Sequence, residues 1–143
     1  MPDILHNLTI QSSAGNVYEV LTTPKGLAAW WTKSSSGHPE LGAEYQLFFS
    51  DEYDWRAIVL ENDENTKFVL EITAADEDWT GTKVKFFLTR KGDSTDLQFE
   101  HPGWKETNDH FRVSSYCWAK YLRLLKKFIE EGVIVPYDER QNL

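Results

Sequence analysis

Alternation of apolar and polar residues runs through much of the chain and predicts β-strands. The first such segment extends from Ile4 to Ile10, and the others follow one another between Ala43 and His101. Because side chains two positions apart share one face of a strand, each later strand presents an apolar face. These faces are formed by Phe68, Leu70 and Ile72, by Val84, Phe86 and Leu88, and by Leu97, Phe99 and His101. Short polar connections such as "NDENT" and "KGDS" predict antiparallel hairpins with one dry face.

A longer period marks the last part of the chain and predicts one long α-helix from about Asn108 to Glu131. Apolar residues recur there every three or four positions, and Gly132 suits a C-terminal cap. The apolar stripe comprises Phe111, Ser114 or Ser115, Trp118, Tyr121, Leu122, Leu125, Phe128 and Ile129. A single helix with this stripe buries it by lying across the dry face of the sheet.

Two short helices are predicted between the first and second strands. Ser12-Ser13 supplies an N-cap for the first helix, and Pro24 ends that helix and opens the next one. The second helix carries the adjacent Trp30 and Trp31, which face different ways. Either one indole packs in the core while the other reaches a cavity, or both fill the open end of the sheet. The segment that follows, "TKSSSGHPELG", is polar and rich in turn formers, so it is predicted to be a loop.

Together these elements predict an α+β fold in a single domain over residues 1–143. We expect a strongly curved antiparallel sheet wrapped around a long C-terminal helix, with two short helices after the first strand. This packing leaves a groove between helix and sheet unless side chains fill it.

Aromatic side chains are the expected walls of that groove. They make up 14% of the chain, including six tryptophans, and several fall on the faces that helix and sheet share. The predicted ligand-binding residues are Trp31, Trp55, Phe68, Phe86, Phe99, Trp118, Tyr121 and, as the polar member, His101. A histidine on an apolar strand face either is a hydrogen-bonded structural group or offers one oriented hydrogen bond to a ligand. Trp79, in a polar loop, is interpreted as a rim residue or a partner contact.

Net charge limits the class of partner. The formal charge is −8, from 15 basic and 23 acidic residues, which argues against nucleic acid and anionic membrane. No apolar window is long enough for a membrane-spanning helix, and a cytoplasmic protein is expected. The acidic stretches "SDEYD", "ENDEN" and "AADED" are interpreted as solvated hairpin tips, with steering of a basic partner as the alternative.

Signatures of catalysis and metal binding are weak. The four histidines, His6, His38, His101 and His110, have no paired spacing, and Cys117 has no second cysteine beside it. We therefore expect no metal site and no cofactor. There is no nucleophile-elbow motif and no Gly-rich phosphate loop, so an enzyme is the less favoured class. An acid-base pair within the cavity, such as His101 with Tyr116, stays open because spatial adjacency is invisible in sequence.

Several motifs resemble one superfamily. They are "LTTP" followed by "LAAWW", the strand end "LQFEHPGW", and "W-x-x-YL-x-x-LKKFIEEG" in the last helix. The chain resembles the helix-grip superfamily, which includes the steroidogenic-acute-regulatory-related lipid-transfer domains and the plant pollen-allergen proteins. Within it, the chain is most similar to the branch named after the activator of the ninety-kilodalton heat-shock protein's ATPase. The likeness covers nearly the whole chain, and its motifs mark the fold and no catalytic chemistry.

The resemblance implies three kinds of function: carriers of small hydrophobic ligands, chaperone regulators and ring-closing enzymes. The surplus of aromatic residues favours the first, a non-enzymatic carrier or sensor that holds a small hydrophobic or amphipathic molecule between helix and sheet. One alternative is a chaperone-associated regulator that acts through its surface, with the chaperone as its partner. The other is a cyclase-type enzyme that works within the cavity.

Overall fold

The computed structural model describes residues 2–143, which form a seven-stranded antiparallel sheet and a long helix. The strands are β1 (Ile4–Ile10), β2 (Ser34–Ser36), β3 (Glu44–Phe48), β4 (Asp54–Asp63), β5 (Lys67–Ala74), β6 (Lys83–Lys91) and β7 (Ser94–His101). The helices are α1 (Ala14–Thr22), α2 (Pro24–Trp30), α3 (Asp109–Glu131) and a 3₁₀ helix at Tyr137–Asn142. The predicted α+β helix-grip architecture is confirmed.

Strand order explains how the sheet wraps around α3. The order is β1-β7-β6-β5-β4-β3-β2, so β1 and β2 are the two edges. The pairing of β4 with β5 is interrupted by register shifts at Arg56/Ala57 and at Val59/Glu61. Irregularities of this kind bend a strand and increase its twist, which curves the sheet. The concave face is the one that receives α3.

An edge strand occupies part of the segment predicted to be a loop. Ser34–Ser36 pair with Phe48 to Gln46 of β3, and the Lys33 N–H donates to the Phe48 carbonyl at 3.0 Å. Pairing at a sheet edge requires only backbone donors and acceptors, so three consecutive serines form a strand without any apolar alternation. The loop prediction was wrong at these residues for that reason.

The turn between α1 and α2 places the tryptophan pair. Thr23 caps α2 by accepting from the Gly26 N–H at 3.1 Å, and Pro24 occupies its first turn. Gly26 is required by close packing, because a Cβ there would lie 2.3 Å from the Val20 carbonyl oxygen of α1. Because of this close packing, the C-terminal end of α2 lies at the space between α3 and the sheet.

The long helix α3 begins and ends where the sequence predicts. Asn108 accepts from the Phe111 N–H at 2.8 Å, and Gly132 ends the helix with a left-handed φ of 71°. Trp118, Leu122 and Leu125 of the apolar stripe are buried, and the Trp118 ring packs against Phe99 of β7 at a centroid distance of 4.4 Å. No helix within residues 2–143 is long and apolar enough to cross a membrane.

Candidate functional site

A groove of about 450 Å³ opens between α3 and the rim of the sheet. Its walls come from α3, the β3–β4 hairpin, the β5–β6 connection, the end of α2 and the 3₁₀ helix. Eight of its thirteen lining side chains are aromatic. The lining residues are Trp31, Phe49, Tyr53, Trp55, Asp76, Trp79, His110, Val113, Ser114, Cys117, Trp118, Tyr121 and Tyr137. The volume falls in the range of small-molecule sites, roughly 300–1,000 Å³.

One ridge of α3 supplies the helical wall. The lining positions His110, Val113, Cys117 and Tyr121 are separated by three or four residues, so they lie on one side of the helix. This ridge runs beside the buried stripe that contains Trp118. The same helix therefore presents one face to the core and the adjacent face to the groove.

Four tryptophans form a continuous layer beneath the groove. The ring centroid of Trp118 lies 5.0 Å from that of Trp31 and 5.7 Å from that of Trp79. Trp79 in turn lies 4.9 Å from Trp55. Trp79 was interpreted as a rim residue or partner contact, but only 7% of it is exposed, because its loop folds inward against α3. Its indole N–H donates to the Ser114 hydroxyl at 3.3 Å.

Trp30 ends α2 and Trp31 is its C-cap; their rings stack at 5.7 Å but have different further neighbours. Trp30 is fully buried and packs edge-on against Phe86 at 6.1 Å. Trp31 is also covered, but it reaches the groove, where its ring lies 6.0 Å from that of Phe49. One indole belongs to the core and the other to the base of the groove.

His101 lies behind this layer in a complete hydrogen-bond chain. Since an indole N–H can only donate, the Trp118 Nε1–H donates to His101 Nδ1 at 3.0 Å, and the histidine proton is therefore on Nε2. Nε2–H donates to the Thr82 hydroxyl at 2.8 Å, which donates to the Trp79 carbonyl at 2.5 Å. Burial lowers the pKa of His101 to about 3, with a smaller contribution from His110. His101 is a neutral structural group that fixes two tryptophans.

Charged groups lie at one end of the groove. His110 Nδ1 is 2.8 Å from an Asp78 carboxylate oxygen, and His110 Nε2 is 3.5 Å from one of Asp76. The other oxygen of Asp76 accepts from the Trp79 N–H at 2.8 Å. The acidic loop thus tethers Trp79 to the site and joins the loop to the first turn of α3. Within residues 2–143, no group of three or more potential ligand side chains is placed to hold a metal ion.

The predicted site residues divide into two sets. Trp31, Trp55, Trp118 and Tyr121 line the groove. Phe68, Phe86, Phe99 and His101 lie deeper, each at most 1% exposed and outside the lining. Trp30 and Trp118 fill the space above these strand residues: Phe99 lies 4.4 Å from Trp118, and Phe86 packs under Trp30.

Sequence reasoning did not assign nine of the residues that line the groove: Phe49, Tyr53, Asp76, Trp79, His110, Val113, Ser114, Cys117 and Tyr137. Phe49 and Tyr53 flank a hairpin tip, Tyr137 follows α3, and Asp76 and His110 belong to polar segments. The helical spacing of Val113, Cys117 and Tyr121 was a usable signal. Tyr116, weighed as an acid-base partner of His101, is 68% exposed, whereas His101 contacts Trp118 and Thr82.

Comparison with known proteins agrees with the fold. A family model described as "Activator of Hsp90 ATPase homolog 1-like protein" matches residues 11–130. The chain is similar to the solved structure of the Aha1 dimer from Colwellia psychrerythraea, with 30% identity and a TM-score of 0.84. That match covers 92% of this chain and 98% of the other. No curated protein matches the chain.

More distant structures share the architecture. A protein from Mesorhizobium loti is 16% identical with a TM-score of 0.81, covering 93% of this chain and 100% of that chain. CalU16 from Micromonospora echinospora is 18% identical with a TM-score of 0.72, and the match covers 98% of this chain and 83% of CalU16. At these identities the likeness extends to the fold alone.

Proposed function

This chain belongs to the family of activator of Hsp90 ATPase homolog 1-like proteins, and we propose that it binds a small hydrophobic or amphipathic molecule in its aromatic groove as a non-enzymatic carrier or sensor. The observation that carries the proposal is a groove of about 450 Å³ with eight aromatic lining residues. Transfer of apolar ligand surface from water to these rings supplies affinity at about 25 cal/mol per Å².

The base of the groove supports binding because it is already ordered. Trp31, Trp79 and Trp118 are each at most 7% exposed and pack on one another. The His101 hydrogen-bond chain holds Trp118 from behind. A ligand that contacts this layer therefore has little protein to immobilise, which reduces the entropic cost of binding.

The half-exposed rings above the base give the ligand an entrance. Tyr53 is 50% exposed, and Phe49, Trp55, Tyr121 and Tyr137 are partly buried. Side chains at such positions adopt other rotamers without disturbing the core. We therefore propose that the rigid tryptophan layer provides most of the binding affinity and that the outer rings move to let the ligand enter.

Native mass spectrometry of the protein as purified, beside a denatured sample, is the first test. A small-molecule mass that disappears on denaturation supports the proposal and reveals the ligand's chemical class. Titration of lipid, flavonoid and bile-acid panels, followed by tryptophan quenching, covers ligands lost in purification. The mass of the protein alone, together with no change in tryptophan fluorescence with any ligand of the panels, would contradict ligand binding.

A groove-filling variant tests where the ligand binds. Cys117→Phe adds a ring within the lining, whereas Tyr116→Trp enlarges the neighbouring side chain on the exposed face of α3. We expect at least about a tenfold loss of affinity in Cys117→Phe and unchanged affinity in Tyr116→Trp, by calorimetry. Equal affinity in both variants would place the ligand elsewhere.

The second candidate is regulation of a chaperone through the surface. The family description favours it, and so do two exposed apolar side chains on α3, Val113 and Tyr116, at 58% and 68% exposure. The test is stimulation of a chaperone's ATP turnover. Neutralising the exposed Asp51, Glu52 and Glu77, which do not line the groove, should abolish the effect, while Cys117→Phe should leave it intact. The reverse pattern would assign the effect to the groove.

A further inference from the structure

The charged lining of the groove is concentrated at one end and is acidic. Asp76 lines this end, and Asp78 lies beside it on the same connection between β5 and β6. Both carboxylates approach His110, at 3.5 Å and 2.8 Å. The three side chains carry a summed charge of −2 when His110 is neutral and −1 when it is protonated. The end is therefore anionic in both protonation states.

Two positive charges near this end are each opposed by a carboxylate. The N-terminus of α3 contributes about half a positive charge, and Asp109 in the first turn opposes it. Arg56, which follows Trp55, is held by the Asp54 carboxylate at 2.5 Å. Among the residues that line the groove in the described chain, 2–143, there is no lysine or arginine.

The opposite end of the groove has a different character. Lys120 Nζ lies 5.4 Å from the centre of the Tyr121 ring, and Arg140 Cζ lies 5.5 Å from that of Tyr137. Both cations contact tyrosines of the lining without themselves lining the groove. From His110 to Tyr121 the helix rises ~16 Å. The groove is thus polarised along its length.

Aromatic rings beside the acidic end meet at steep angles. The Tyr53 and Trp55 rings are inclined by 88° with centroids 6.2 Å apart, and the Phe49 and Trp55 rings by 64° at 5.2 Å. Trp55 also contacts Trp79, whose backbone N–H binds Asp76. Ring faces carry partial negative charge and attract cations, most strongly in tryptophan. Partly exposed rings and a carboxylate are therefore adjacent at this end.

From this geometry we propose that the groove selects an organic cation, a protonated amine or quaternary ammonium group on an apolar body. The cationic group lies at the acidic end, between the Tyr53 and Trp55 rings and the Asp76 carboxylate. The apolar body extends along α3 across Cys117 towards Tyr121. This inference rests on the proposed ligand-binding function and adds the class of ligand.

Three ligands with one apolar body test the charge preference. They are naphthylmethyl-trimethylammonium, its uncharged carbon isostere and naphthylacetate, each titrated calorimetrically at low and high salt. We expect the cation to bind about tenfold more tightly than the isostere at low salt, with naphthylacetate the weakest. Added salt should weaken only the cation's binding.

A matched pair of variants assigns the preference to Asp76. Asp76→Asn removes the charge but keeps an oxygen to accept from the Trp79 N–H, so the loop stays tethered. Asp93→Asn makes the same charge change in the exposed β6–β7 turn. We expect Asp76→Asn to reduce the cation's affinity about fivefold and to leave the isostere unchanged, whereas Asp93→Asn should affect neither ligand.

Ring substitutions provide a second readout. Trp55→Phe keeps a ring face and should retain much of the preference, whereas Trp55→Leu should lose it while still binding the isostere. Thermal unfolding and near-ultraviolet circular dichroism show whether each Trp55 variant is folded. If Trp55→Leu is not folded, Tyr53→Leu is used in its place.

The outcomes separate this inference from the proposed function. If the isostere or naphthylacetate binds as tightly as the cation, selection of cations is wrong and ligand binding stands. A preference that persists in Asp76→Asn also overturns the assigned geometry. If none of the three ligands binds, the cation inference is overturned. If no member of the lipid, flavonoid and bile-acid panels binds either, the proposed function is also overturned.

Discussion

The interface between α3 and the sheet is closed on one side of Trp118 and open on the other. On the closed side, the rings of Trp30, Phe86, Phe99 and Trp118 pack together at centroid distances between 4.4 and 6.4 Å, and the Phe99–Trp118 pair is the closest of these. On the open side, Trp55 contacts other rings yet stays partly exposed. Tryptophan and phenylalanine occur on both sides, with Trp30 and Phe86 on the closed side and Trp55 and Phe49 on the open side. The number of elements that cover a ring, and not its residue type, decides whether it belongs to core or site.

Two histidines, one on each side, differ in the same way in their burial. His101 on the closed side is fully buried and makes hydrogen bonds through both nitrogens to neutral groups. His110 on the open side is partly exposed between the carboxylates of Asp76 and Asp78. The first contributes to stability and the second to the electrostatics of the groove.

Truncating the residue shared by both sides should have the largest effect. Trp118→Ala removes a fully buried indole and leaves His101 Nδ1 without its donor. We expect the free energy of unfolding to fall by about 4 kcal/mol, measured by urea denaturation. Tyr116→Ala, on the exposed face of the same helix, should change it by less than about 0.5 kcal/mol. A loss below about 2 kcal/mol for Trp118→Ala would mean that the layer repacks readily.

Acid should destabilise the closed side through His101. Burial lowers its pKa in the folded protein to about 3, from the ordinary histidine value of 6.5, so folding favours the neutral form. The contribution is fully present above pH 6.5 and is lost as the pH falls towards 3. Linkage gives a loss of about 2 kcal/mol between pH 7.5 and pH 5. Urea titrations at both pH values measure it, and His101→Gln should lack this component; equal pH dependence in both proteins would contradict the assignment.

The periodic spacing of apolar residues predicted most of the fold, because buried positions recur at regular intervals along each strand and helix. The alternation that ends in Leu97, Phe99 and His101 correctly placed the histidine on the dry face, where it is fully buried. The stripe through Trp118 likewise identified the face of α3 that meets the sheet. Edge strand β2 was missed because its pairing is backbone-only and leaves no side-chain period.

The groove depends on contacts between elements far apart in sequence, which no local pattern records. Phe86 and Phe99 have the strand positions expected of a wall, but Trp30 and Trp118 lie between them and the opening. Tyr137 reaches the groove from beyond α3. Sequence therefore indicated an aromatic cavity but could not decide which rings stay uncovered.

Removing a ring of the open side should affect binding more than stability. Trp55→Ala deletes a partly exposed indole that contacts Phe49 and Trp79. We expect a loss of about 1–2 kcal/mol in unfolding free energy and at least about a tenfold loss of ligand affinity. Urea denaturation and calorimetry measure the two quantities. A stability loss as large as that of Trp118→Ala would show that the open side is part of the core.

The smallest effect on stability is expected at the outermost ring. Tyr53 is 50% exposed and touches Trp55 edge-on, so Tyr53→Ala should change the unfolding free energy by less than about 0.5 kcal/mol. It should nevertheless weaken a cationic ligand about threefold, because one of the ring faces at the acidic end is removed. Tyr53→Phe retains that face and should bind as the parent does. If Tyr53→Phe and Tyr53→Ala weaken binding equally, the hydroxyl and not the ring contacts the ligand, and the exposed tyrosine belongs to the site through a hydrogen bond.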